Sequence, residues 1–296
     1  MRTKSVFTGS CCAMITPFDK NGDPEWSEIT KVVDFLIENN TDAICVCGTT
    51  GEASTMDDRE HLSVIEYVVK EVNGRVPVIA GTGSNDTRHG INLSKEAENR
   101  GADALLIVTP YYNKTTQQGL IKHYSAIAEK VSSPIIAYNV PGRTGVNILP
   151  KTLKVMADIP NMVAVKEASG NMAQVVSVIK ECGDKLDVYS GCDEINVPIM
   201  SMGGKGAISV LANIAPKQTH QMLAHALNGN YPAAANMQAE ALDLIDALFC
   251  EVNPIPVKEA MNILGFNAGS PRLPLCNMSD ANREVLRNAM KNYGLI

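Results

Sequence analysis

The feature that most constrains this chain is an alternation of two textures. Short apolar runs rich in Val, Ile and Ala end in Gly, Asn or Pro, and longer segments of helical period separate them. The runs are Cys11–Ile15, Ala43–Cys47, Pro77–Ala80, Ala104–Val108, Pro134–Asn139, Met162–Glu167, Leu186–Ser190 and Gly206–Val210. Their starts recur every roughly 20 to 34 residues, room for a strand and a crossover helix. Runs that are apolar on both faces suit strands covered on both sides of a parallel sheet. Between them, Ile29, Val32, Val33, Leu36 and Ile37 fall on one helical face, as do Leu62, Ile65, Val68, Val69 and Val72. Thr55 with Asp58 three residues on predicts a capping box at the start of the second helix. Eight such units close a (β/α)8 TIM barrel, the α/β fold predicted here; an open doubly wound sheet is the alternative.

After Ala212 no strand run follows. Helical spacing is read over Gln218–Leu227, Ala233–Phe249, Pro256–Leu264 and Ala281–Lys291, with Asn253-Pro254-Ile255-Pro256-Val257 as the clearest break. The predicted division is a barrel over 1–225 and an appended C-terminal helical region over 226–296.

Composition narrows the function. The 296 residues are 45% hydrophobic and 20% charged, which excludes a disordered chain. A net charge of −6 argues against nucleic acid or anionic membrane as partner. No apolar run approaches the ~18–20 residues of a membrane span. Arg2 and Lys4 precede a stretch broken by Thr8, Gly9, Ser10, Thr16 and Pro17, which reads as a short strand rather than a signal peptide. The eight cysteines include no CxxC pair and often sit in apolar runs, as in Cys45-Val46-Cys47. They are read as reduced core thiols of a cytoplasmic protein. Histidines 61, 89, 123, 220 and 225 show no metal-binding spacing. No metal is predicted, and most of these histidines are read as helix-surface residues.

Barrel chemistry gathers where strands end. The second run ends in Gly48-Thr49-Thr50-Gly51-Glu52, a turn whose amides can cradle a carboxylate. It lacks the Gly-Lys-Ser/Thr of a phosphate loop. Gly81 and Gly83 make half a dinucleotide fingerprint, whose third glycine would fall at Asp86. Lys166 ends the sixth run. Alternation places it on the face of Ala164, opposite Val163 and Val165. Facing inward, in a low-dielectric site, its amine would be neutral and nucleophilic. Paired with Glu167, or facing water, it would be inert. Tyr138 could move protons or simply pack at the rim. Arg143, after a Pro-Gly turn, could receive a carboxylate or form a surface ion pair. Tyr111-Tyr112 could serve an interface and a site, or pack within its loop.

Together these motifs resemble the dihydrodipicolinate synthase family of pyruvate-dependent class I aldolases. The resemblance lies in Gly48–Glu52, Thr109–Asn113, Tyr138–Gly145, Val165–Gly170, Gly206–Val210, Asn253–Lys258 and Arg272–Leu275, in order over nearly the whole chain. It implies a Schiff base between Lys166 and pyruvate, with no other cofactor. It implies Tyr138 as proton donor and acceptor, relayed through Thr50 and Tyr112, the latter reaching into a neighbouring subunit's site. Thr49 and Thr50 would hold the pyruvate carboxylate, and Arg143 that of L-aspartate 4-semialdehyde. Gly191 and the Ile208 carbonyl would line the site near the lysine. The implied product is 4-hydroxy-tetrahydrodipicolinate, on the route to lysine and diaminopimelate, from a homo-oligomer, a tetramer or a dimer. Relatives that cleave sialic acid or keto-deoxy sugar acids usually carry Gly-Ser-Thr-Gly-Glu and lack the arginine; Thr49 and Arg143 favour the semialdehyde. A non-catalytic binding protein on the same barrel would need no nucleophilic lysine beside a phenol. A regulatory pocket is implied at Ala53, Ser54, His61, Asn85, His89 and Tyr111. Lysine-inhibited members carry a glutamate where this chain has His89 and a histidine where it has Asp58. The missing carboxylate predicts weak or absent feedback by L-lysine.

Overall fold

The computed structural model describes residues 5–296, so Arg2 and Lys4 lie outside the described residues. In chain order the elements are β1 (Gly9–Ala13), α1 (Trp26–Glu38), β2 (Ala43–Val46), α2 (Asp58–Val72), β3 (Val78–Gly81), α3 (Thr87–Asn99), β4 (Ala104–Val108), α4 (Gln117–Ala128) and β5 (Ile135–Asn139). Two short helices follow, α5 (Pro141–Thr144) and α6 (Pro150–Met156), then β6 (Met162–Glu167), α7 (Met172–Cys182), β7 (Asp187–Ser190), α8 (Asn196–Ser201) and β8 (Gly206–Ser209). The chain ends with α9 (Pro216–Leu227), α10 (Tyr231–Leu248), α11 (Ile255–Ile263) and α12 (Asp280–Asn292).

All eight strands are parallel, each pairs with the next, and β1 pairs with β8 to close the barrel. The open sheet is thereby excluded. Period-two alternation sorts the side chains into two layers. Cys11, Ala43, Cys45, Ile79, Leu106, Ile136, Ala164, Tyr189 and Ile208 fill the barrel. Cys12, Ile44, Val46, Leu105, Ile107, Val165 and Val188 face the helices. Closure depends on a close approach, because a Cβ on Gly206 would stand 2.1 Å from the Gly9 carbonyl oxygen.

Helix starts follow local chemistry. Asp57, Asp86, Thr116, Asn171, Asn230 and Ser279 cap α2, α3, α4, α7, α10 and α12 through their side chains. Proline occupies the first turn of α5, α6, α9, α10 and α11, where no amide is needed. The predicted capping box at Thr55 is therefore corrected to Asp57. Thr55 closes a 3-10 turn over Ala53–Thr55, and its hydroxyl donates to the Glu52 carbonyl at 2.9 Å.

Other expectations shift locally. β1 begins two residues before the predicted run, since Gly9 and Ser10 pair with Gly206 and Ala207. It stops early because the Ile15 amide donates to the Asn213 side chain. In β6 the pairing with β5 skips a residue, Ile135 matching Met162 and Ile136 matching Ala164. This bulge turns Val163 into the inner layer beside Ala164, so only Val165 lies opposite Lys166. Cys11, Cys12, Cys45, Cys47 and Cys182 are buried, but Cys250 and Cys276 are exposed on the C-terminal segment; all eight are free. His61 and His123 are buried rather than on helix surfaces, their rings bonded to the Gly81 carbonyl and the Thr87 hydroxyl. Among the described residues no helix is long and apolar enough to cross a membrane.

Candidate active site

The strands deliver their last residues to one end of the barrel, around a cavity of about 380 Å³. Ala13 and Cys45 belong to its floor, which continues the inner layer. Gly48, Thr49 and Thr50 come from the loop after β2, Tyr138 from β5, Arg143 from α5, Lys166 from β6 and Gly191 from the end of β7. These are seven of the residues singled out by strand-end reading or resemblance, brought together from distant parts of the chain.

Lys166 is 6% exposed and Tyr138 8%. The two are paired across β5 and β6, and the lysine Nζ stands 4.4 Å from the centroid of the tyrosine ring. Glu167 points the other way. Its carboxylate accepts from Asn139, the Ser169 amide and Gln174, so it does not pair with Lys166. The reading of an inert, ion-paired lysine is excluded on that geometry. Gly191 lets the lysine stem pass: a Cβ there would meet Lys166 Cε at 2.9 Å.

The loop after β2 is shaped as a carboxylate cradle. The amides of Gly51, Glu52 and Ala53 bond back to the carbonyls of Gly48 and Thr49, while those of Thr49 and Thr50 reach no backbone carbonyl among the described residues. Glu52 adopts the left-handed region at φ 56° and is buried. Its carboxylate meets Lys258 Nζ at 2.8 Å and the Arg272 amide at 2.8 Å. Burial pushes the thiols of the cavity wall up, Cys45 to about 11 and Cys192 to about 12. Both therefore stay as neutral thiols at ordinary pH.

Two predicted site residues lie elsewhere. The Ile208 side chain fills the inner layer at 1% exposure, which leaves only its backbone carbonyl for the expected role, and Val210 supplies the wall beyond β8. Tyr112 stands outside its own cavity, 93% exposed, with φ 65°. Among the described residues the Tyr138 hydroxyl makes no hydrogen bond, so the relay through Thr50 is open within one chain. The C-terminal segment contributes walls that strand-end reading missed: Ile245, Asp246, Phe249 and Asn253. Asn253 is 5% exposed and donates from Nδ2 to Thr50 Oγ1 at 3.0 Å. Its sequence signals were a place in the break Asn253–Val257, read as punctuation, and in the motif Asn253–Lys258, to which no role was attached.

A second cavity of about 440 Å³ shares Gly48, Thr49, Leu106, Tyr138, Val140 and Arg143 with the first. Ala53, Ser54, His61, His89 and Tyr111 line it; Asn85 does not, its side chain donating to the Tyr111 carbonyl from outside. The premise of a missing carboxylate is corrected here. Asp58 lines the same cavity, and its Oδ1 stands 2.8 Å from His89 Nε2. The pocket therefore holds a carboxylate, on Asp58 and not at position 89. Among the described residues no group of three His, Cys, Asp or Glu side chains could hold a metal ion.

Comparison with known proteins agrees with this geometry. Residues 6–293 match the profile of the Dihydrodipicolinate synthetase family. A protein of Caldicellulosiruptor bescii named 4-hydroxy-tetrahydrodipicolinate synthase is 56% identical over 291 residues, 98% of each chain. One of the same name from Acetivibrio thermocellus is 54% identical over 99% of each. The crystal structure of the chloride-inhibited dihydrodipicolinate synthase of Acinetobacter baumannii, complexed with pyruvate, superposes with a TM-score of 0.96 at 46% identity. That match covers 98% of this chain and 99% of the other. With its closed barrel and a buried lysine among matching motifs, the chain belongs to the dihydrodipicolinate synthetase family.

Proposed function

We propose that this chain is a lyase of the pyruvate-dependent class I aldolase type that condenses pyruvate with L-aspartate 4-semialdehyde to 4-hydroxy-tetrahydrodipicolinate. The observation that supports it most is Lys166: a buried amine with no carboxylate partner among the described residues, under a phenol ring, in a cavity with an arginine at its rim. The neutral amine attacks the pyruvate ketone, and water leaves as the imine forms. The protonated imine is itself the electron sink, so the methyl group loses a proton to give an enamine without an added cofactor. The enamine carbon bonds to the semialdehyde carbonyl carbon. The new chain's amine then attacks the imine carbon, closes the ring and expels Lys166.

The Thr49 and Thr50 amides and hydroxyls receive the pyruvate carboxylate, and the exposed Arg143 fork receives that of the semialdehyde. Tyr138 carries protons during imine and enamine formation, in a relay with Thr50 and a partner's Tyr112. The chain works as a homo-oligomer, and its free thiols support a reducing, cytoplasmic setting.

The test is borohydride reduction in the presence of pyruvate followed by peptide mass mapping. Label is expected on Lys166 and absent in Lys166→Arg; label on another residue reassigns the nucleophile. Arg143→Ala is expected to keep imine formation and lose most turnover with the semialdehyde. Loss of the imine in that variant would mean Arg143 serves pyruvate instead.

The second cavity is read as an effector pocket with weak response to L-lysine. Asp58 offers a carboxylate, but His89 already bonds it, and that bond competes with an effector's ammonium. Steady-state assays with added L-lysine check this, and inhibition at micromolar effector would contradict it.

A further inference from the structure

We propose that Asn253 is a positioning residue that sets the direction of proton movement through Thr50, an inference that rests on the aldolase chemistry above. Asn253 belongs to no barrel strand. It follows α10, more than two hundred residues from the loop it touches, yet it is buried in the cavity wall. Its Nδ2 donates to Thr50 Oγ1 at 3.0 Å, and its backbone carbonyl accepts from Arg143 Nη2 at a long 3.5 Å. One residue thus touches both the loop that cradles pyruvate and the arginine at the rim.

A hydroxyl has one hydrogen to give and two lone pairs to receive with. Because Thr50 receives from Asn253, its own hydrogen is released toward another acceptor in the cavity. That makes Thr50 a donor toward the reacting centre rather than a hydroxyl spent on its neighbour. The opposite carboxamide orientation would consume the Thr50 hydrogen. In the orientation found, one amide hydrogen goes to Thr50, while Oδ1 has no partner among the described residues.

The experiment uses the full-length chain with Asn253→Asp, Asn253→Ala, Thr50→Val and the Thr50→Val/Asn253→Ala pair. Pyruvate trapping on wild-type Lys166 is the control. If the wild type traps nothing, the aldolase reading fails first; if it traps pyruvate, the variants judge the inference alone. Asn253→Asp keeps shape and volume, but an ionised carboxylate can only accept, so it draws in the Thr50 hydrogen. Its kcat is expected to fall about 10- to 100-fold, with little change in pyruvate KM. The deficit relative to wild type should shrink on acidification, because a protonated carboxyl regains an O–H donor. Asn253→Ala should lose a similar factor in the wild-type background and almost nothing further in Thr50→Val. A merely structural side chain would give additive losses and a pH-independent ratio. Either result, or wild-type kcat in Asn253→Asp, overturns the proposal. Should Asn253→Ala fail to fold, the pH profile of the isosteric variant decides alone.

Discussion

At the scale of single residues, the site is built by what is left out as much as by what is present. Lys166 reaches the cavity past Gly191, where a Cβ would come within 2.7 Å of Ala168 Cβ, 2.9 Å of Lys166 Cε and 3.1 Å of Lys166 Cγ. The first two are closer than real Cβ contacts come, so in Gly191→Ala the backbone at Ala168 and the nucleophile's stem must give way. The change adds one methyl at the cavity wall and leaves the strand pairing untouched. The expected outcome is a near-native melting temperature with pyruvate trapping slowed by about tenfold or more. Rapid-quench borohydride trapping measures it; an unchanged trapping rate would show that the stem has room to shift. The contrast with Asn253 shows which residues a sequence exposes. Lys166 and Tyr138 each stand next to last in an apolar run, so local texture places them. Asn253 and Glu52 owe their importance to partners 203 and 206 positions away, and no period or spacing encodes a contact of that range.

At the scale of elements, strand positions were legible because buried parallel strands are nearly continuous apolar runs, and β4 and β6 match their predicted bounds. The discrepancies arise where side chains or register compete with the ladder: Asn213 ending β1, the bulge in β6, Asp57 displacing Thr55 as cap. Least legible was how the last helices hold the loop after β2. Lys258 on α11 is fully buried, 2.8 Å from Glu52, with its amine 4.2 Å from the Phe18 ring centroid. Burial drives the Lys258 pKa down, and the Glu52 charge opposes that; the net direction is downward, so desolvation outweighs the attraction. A pair of this kind costs much to break and little to replace. Lys258→Met, which strands the Glu52 carboxylate, is expected to destabilise by about 3–5 kcal/mol. Adding Glu52→Gln should recover most of that loss. Urea unfolding of both variants measures it. Strictly additive losses would mean that each group is held by separate contacts.

At the scale of the whole molecule, two properties belong to no single site. The first is acid stability. Burial holds the imidazoles of His61 and His123 below their usual range, against weaker opposing pulls from the Gly81 carbonyl and the Asp86 charge. An unfolded histidine takes up its proton near pH ~6.5, whereas these two take theirs only at lower pH. Their contribution is therefore present above that point and lost as pH falls through the folded values. Unfolding free energy should drop between about pH 7 and pH 5, by at most ~1.4 kcal/mol per pH unit for each histidine. His61→Gln/His123→Gln should flatten that slope even if it lowers the plateau, and an unaltered slope would assign it to other groups. The second is the proposed completion of the relay by another chain. Tyr112 combines 93% exposure with a left-handed φ of 65°, a conformation disfavoured for a tyrosine and turned away from its own cavity. If the tyrosine serves a partner, Lys166→Arg and Tyr112→Ala chains should each be nearly inactive alone. Reassembled together, a mixed pair holds one site with both the lysine and the borrowed phenol. Random mixing then restores about a quarter of wild-type sites. If each chain uses its own tyrosine, both defects stay within their own chains and mixing restores nothing beyond the sum of the parts. Activity regained on mixing thus reads out the exchange directly, without any prior measure of assembly size.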